Sequence, residues 1–165
     1  WCAGIVRLGF NRVSLGIQSF DDNILKFIRR RHTARQAKEA VERLASHVGN
    51  ISIDLIYGLP GQSPDLWEND LREAFALPVK HLSAYALSIE EGAPLWQMVR
   101  QKKIEETDEE TERAMYERLI DTAEAQGFEH YELSNFALPG FRSRHNSSYN
   151  LANVLLWLPC QNHIL

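Results

Sequence analysis

The chain has 165 residues, a formal net charge of -4 and 44% hydrophobic residues. That length suits about one domain, able to bury roughly two thirds of its unfolded surface. The acidic balance gives no footprint for nucleic acid, and no apolar run approaches the ~20 residues of a membrane helix.

Strand and helix signals alternate along the chain. Residues 12–17 (RVSLGI) are β-branched and apolar and predict a strand. Residues 21–29 carry Ile24, Leu25, Phe27 and Ile28 at helical spacing. Thr33, with Gln36 three residues on, has the capping-box pattern and predicts a helix through about Ser46. Residues 51–56 are the second strand, and Asp54 stands inside that apolar run. Burying an unpaired carboxylate is costly, so Asp54 must be hydrogen-bonded, paired or facing a cavity. Ser63-Pro64 is a cap followed by proline at the first helical position, opening a helix to about Ala76. Residues 81–87 (HLSAYAL) are a third strand. Thr107 with Glu110 predicts a long helix to about Gln126, ended by Gly127. Residues 131–136 are a last short strand. The alternation predicts an α/β fold with parallel strands joined by right-handed helical crossovers. From about Ala137 the pattern fades.

In such a sheet, ligands gather at the carboxyl ends of the strands. Gln18 follows the first strand, Asp54 lies late in the second and Ser88 follows the third, so all three are expected near one rim. A carboxylate and an amide there can hold a ribose diol or an amino acid; as simple caps of the next turn they explain the pattern equally well. Gly58-Leu59-Pro60-Gly61 suits a tight turn better than a phosphate cradle, because no P-loop lysine follows. Arg29-Arg30-Arg31 suits a solvated helix end, unless one guanidinium turns inward to bind a carboxylate. The acidic run 105–112 suits a solvated helix start. His32, His47, His81, His130, His145 and His163 form no HxH or HExxH pair, so no zinc site is expected. Cys2 and Cys160 have neither disulfide nor metal spacing. No signal peptide is visible in the first ten residues, and a cytoplasmic location is expected.

The segments GFNRVSLGIQSF (9–20), IDLIYGLPGQ (53–62), HLSAYALSIEEGAP (81–94), HYELSNFALPG (130–140) and SRHN (143–146) resemble the oxygen-independent coproporphyrinogen III oxidase-like family of radical S-adenosylmethionine (SAM) proteins. The combination is closest to the HemW-type heme-chaperone branch. The resemblance implies the later part of a partial parallel (βα)₆ radical SAM barrel in residues 1–92. It implies linker helices and the start of a smaller C-terminal α+β region in 93–149, with a divergent tail in 150–165. It implies SAM contacts at Gln18, Arg30 and Asp54 and, more weakly, at Ser88. It implies heme or a porphyrinogen as partner, and an electron donor for a [4Fe–4S] cluster. His145 and Tyr149 are the heme candidates, since neutral imidazole ligates iron well; a structural histidine bonded to backbone explains His145 equally. No nucleic acid or membrane partner is indicated.

Two departures from the family pattern stand out. The family's CxxxCxxC cluster motif lies upstream of the first residue here, and Cys2 does not supply it, so the cluster ligands are absent from this chain. After HNSSY, Asn150 stands where the heme-chaperone branch has Trp, and LANVLLWLPCQNHIL matches nothing in the pattern. A reading-frame change or truncated gene is the hypothesis for that tail, and resequencing tests it. The expected function is a fragment of a radical SAM protein of heme metabolism, of the heme-binding or delivery type. The alternatives are oxidative decarboxylation of coproporphyrinogen III propionates and an inert truncated gene product.

Overall fold

The computed structural model describes residues 7–143 and Asn146. Three parallel strands, β1 (Val13–Gln18), β2 (Ile51–Tyr57) and β3 (His81–Ala86), form one side of a five-stranded sheet. Its order is β1-β2-β3-β5-β4, completed by β5 (Asn135–Ala137) and β4 (Glu129–Glu132). Helices α1 (Asp22–Phe27) and α2 (Ala34–Ala45) connect β1 to β2, and α3 (Pro64–Ala76) connects β2 to β3. Helices α4 (Pro94–Arg100) and α5 (Glu109–Ala125) then lead into an antiparallel hairpin, β4–β5, that docks on β3.

Local chemistry sets most of the boundaries. Thr33 and Gln36 exchange side-chain and backbone hydrogen bonds in a full capping box at the start of α2. The Ser63 hydroxyl accepts the Leu66 N–H, and Pro64 fills the first position of α3. The start of α5 differs from expectation. Asp108, not Thr107, is its cap and accepts the Thr111 N–H at 2.9 Å. A carboxylate accepts more strongly at the positive end of a helix, which frees the Thr107 hydroxyl to donate to the Gly58 carbonyl at 3.0 Å. The single strand expected at 131–136 is instead a hairpin turning at Leu133 and Ser134, so parallel pairing ends at β3. Helix α1 stops at Phe27, short of Arg29, which takes a left-handed φ of 57°.

The alternation of β2 divides the molecule. Ile51, Ile53, Leu55 and Tyr57 face the helices and pack with Val41 and Leu44 of α2, Trp67 and Leu71 of α3, and Met115 and Leu119 of α5. The Trp67 indole N–H donates to the Met115 carbonyl at 2.8 Å, so the polar tip of this buried ring is satisfied. Each fully buried side chain of this kind stabilises by about 1.5–3 kcal/mol relative to exposure. The opposite face of β2 carries Ser52 and Asp54, and hydroxyls, an imidazole and amides continue it onto the neighbouring strands. Closed barrels fill that interior with branched apolar side chains; here it is a polar wall.

Candidate functional site

The register aligns the wall in two rows. Gly16, Asp54, Ser83 and Asn135 lie side by side on β1, β2, β3 and β5, and Ser14, Ser52, His81 and Ala137 form the row beneath. The Ser14 hydroxyl reaches both Asp54 carboxylate oxygens, at 3.2 and 3.3 Å. Burial nevertheless pushes the Asp54 carboxyl up from its ordinary range, against the opposing pull of the Ser14 and Ser83 hydroxyls and the Arg12 guanidinium. Ser83 donates to the Asn135 carboxamide oxygen at 3.0 Å, and Asn146 donates to the same oxygen at 2.8 Å. In the lower row, the His81 ring joins the Ser52 hydroxyl at 2.8 Å and the Tyr131 hydroxyl at 2.6 Å. Burial holds His81 neutral, its pKa lowered to about 3, with the Arg12 charge adding to the effect.

Gln18 closes β1 in an unusual conformation. Its φ is 74°, left-handed for a residue with a side chain, and the β1–β2 register slips beside it. A Cβ on Gly16 would lie 2.6 Å from the Gln18 Nε2, so the carboxamide folds back over Gly16. It therefore lies on the row of Asp54, above the register partner of that residue. A glycine inside a strand marks such a close approach.

Arg30 arrives by a different route. Arg29 N–H bonds to Lys26 O at 3.0 Å and Arg30 N–H to Leu25 O at 2.8 Å, a Schellman ending of α1 with Arg29 in the left-handed position. Two residues on, the His32 ring nitrogen Nε2 donates to the Ile17 carbonyl at 3.1 Å. That bond holds the arginine loop against the end of β1, one residue before Gln18. Of the three arginines, Arg30 is half-buried and Arg29 and Arg31 are exposed. Among the described residues, neither the Gln18 carboxamide nor the Arg30 guanidinium is engaged by another side chain, and no ion pair joins Arg30 to Asp54.

Asp54 is the fourth of the seven residues of β2, one layer deeper than the rim position expected of it. Ser88 is exposed, two residues past β3, in a loop whose Leu87 N–H is held by the Tyr57 carbonyl at 2.9 Å. The Gly58–Gly61 segment is a tight turn: both glycines have positive φ, Gln62 N–H bonds to Leu59 O at 2.9 Å, and the Gln62 side chain accepts from Leu59 N–H. His145, Tyr149 and both cysteines lie outside the described residues. Among the described residues no group of three His, Cys, Asp or Glu side chains could hold a metal ion, and no helix is long and apolar enough to cross a membrane. Sequence reasoning missed Gly16, Ser83 and Arg12; only the glycine within a strand signalled itself.

Residues 1–74 match the Radical SAM superfamily. The chain is 40% identical over 140 residues to the heme chaperone HemW of Lactococcus lactis, covering 84% of this chain and 37% of that protein. It is 37% identical over 143 residues to heme chaperone HemW of Bacillus subtilis, covering 86% and 38% respectively. The chain thus spans under two fifths of the length of these relatives. Its fold superposes on coproporphyrinogen III oxidase (HemN) from Escherichia coli, a radical SAM enzyme, with a TM-score of 0.72 at 21% identity, over 91% of this chain and 34% of that one.

Proposed function

We propose, from the membership of this chain in the radical SAM superfamily, that the polar wall is part of a SAM-binding site in a heme-metabolism protein of the HemW type. One observation carries the reading. Among the described residues the Gln18 amide and the Arg30 guanidinium meet no other side chain, the Gln18 amide folds over Gly16 beside half-buried Asp54, and the His32 bond ties the arginine loop to the end of β1. Gln18 and Asp54 hydrogen-bond the ribose hydroxyls or the methionyl amine, and Arg30 pairs with the methionyl carboxylate in the fork geometry a guanidinium favours. A cationic amine at Asp54 opposes the upward push of burial and keeps the carboxyl ionised. Bound SAM supplies a sulfonium nucleotide; the chain orients it and shields it from water.

The [4Fe–4S] cluster belongs to the family chemistry, and the described residues contribute no ligand set for it. The names of the relatives support heme as the cargo, with an electron donor as a further partner. Coproporphyrinogen decarboxylation is the rival activity, and carbon dioxide release from that substrate by the full-length protein distinguishes it.

The test is SAM binding by equilibrium dialysis. Gln18→Ala, Arg30→Ala and Asp54→Asn are each expected to weaken affinity by about tenfold or more, with cooperative unfolding preserved. Unchanged affinity in all three sinks the site. Soret titration with hemin tests the cargo: His145→Ala is expected to diminish heme uptake, and an unaltered spectrum removes His145 as a ligand.

A further inference from the structure

We infer that Asp70, on a helix outside the polar wall, is the positioning residue that sets the Gln18 carboxamide toward ligand; the inference rests on the SAM-site reading above. Asp70 lies in the middle of α3 at 0% exposure, where an acid needs a reason. Its carboxylate accepts from the Ser19 hydroxyl at 2.8 Å and the Phe20 N–H at 2.6 Å, the two residues that follow Gln18. It also accepts from the Gln62 amide at 3.2 Å, at the end of the glycine-rich turn after β2. The Ser19 oxygen in turn accepts the Asp21 N–H at 3.0 Å, and Asp21 caps α1 through the Asn23 and Ile24 N–H groups.

One carboxylate therefore gathers the β1–α1 turn, the β2–α3 turn and α3. Gln18 is the residue immediately before the gripped pair, and it bears the left-handed φ of 74°. Conformations of that kind persist where the surroundings over-determine them, and they concentrate at ligand clamps. A neutral serine or asparagine would supply fewer acceptor lone pairs for the donors that converge here. Burial raises the carboxyl to about pH 6, and the Asp21 charge adds to this, against the pull of the Phe20, Ser19 and Gln62 donors.

The experiment is a double-mutant cycle in the full-length protein, read by equilibrium dialysis with SAM itself. Asp70→Asn keeps shape but replaces an acceptor oxygen with a donor facing Ser19 and Gln62. It is expected to weaken SAM binding about tenfold, and to cause no further loss in a Gln18→Ala background. A merely structural role gives additive losses in the cycle, and additivity overturns the inference. So does unchanged affinity in folded Asp70→Asn. If Asp70→Asn does not fold cooperatively, Ser19→Ala carries the same cycle with the same expected non-additivity. If Gln18→Ala alone leaves affinity intact, the positioning role falls, and the SAM site then stands or falls on Arg30→Ala and Asp54→Asn. Loss at Gln18 with additive loss at Asp70 removes the positioning role only.

Discussion

Gly16 decides where the Gln18 amide goes. A methyl group at this position meets only the tip of a flexible side chain, 2.6 Å away, and no backbone. Gly16→Ala is therefore expected to leave the thermal midpoint within the shift of about 1 kcal/mol, because its cost is a rotated carboxamide. The same variant should bind SAM about tenfold more weakly. Dialysis and thermal unfolding on one preparation check the pair; a large stability loss with intact binding contradicts it. At this scale the sequence was informative where motifs are contiguous. Gln18 in SLGIQSF and Asp54 in IDLIYGLPG stand out in the text, and the structure places both on one row. Asp70 and Ser83 did not stand out, because their contribution is made across 50 residues or more of chain, to Ser19 and Asn135.

Elements respond to pH in opposite senses. His81 bridges β2 and the β4–β5 hairpin as a neutral ring, with its folded pKa of about 3 below the ordinary 6.5. A depressed histidine contributes stability that is full above pH 6.5 and declines as pH falls from there toward 3. Asp70, raised from 3.8 to about 6, contributes stability that is full below pH 3.8 and is lost as pH rises through 6. Between pH 6.5 and 4.5 the histidine alone withdraws about 2–3 kcal/mol. Urea titrations across that window should show a shallower acid loss in His81→Gln than in the parent chain; parallel curves contradict the assignment. A second prediction concerns α3 and α5. Trp67→Phe removes the indole donor from Met115 O and part of a ring at 0% exposure, and should lower unfolding free energy by about 1–3 kcal/mol in urea.

The same contrast explains which elements were legible. Thr33/Gln36 and Ser63/Pro64 are caps made within one turn, and local chemistry decides them. At Thr107 a distant carbonyl, Gly58 O, competes for the hydroxyl, and Asp108 takes the cap. The β4–β5 turn at Leu133-Ser134 has no glycine, asparagine or proline to announce it, so 131–136 presents one continuous strand pattern.

At the scale of the whole molecule, the two faces of one sheet divide the labour. The helix-facing side is apolar and closes the core, and the other side keeps hydroxyl, carboxyl and imidazole groups available. The fold class was legible because strand and helix signals alternate along the chain, which calls for parallel strands joined by helical crossovers. The polarity of the inner wall was not, because it depends on which residues of each strand share a side.

The order of the strands also governs how the chain assembles. β4 and β5 are joined by a two-residue turn, whereas β5 meets β3 with His81 opposite Ala137, 56 residues apart. A short hairpin closes in about 1–10 μs, and long-range pairing must first overcome the entropy of a large loop. Asn135 can therefore join Ser83 only when the preformed hairpin docks. In a pulse-labelling hydrogen-exchange experiment, the amides of β5 that face β3 should gain protection after those of α3 and α5. The polar wall would then be the last region of the protein to acquire its native chemistry.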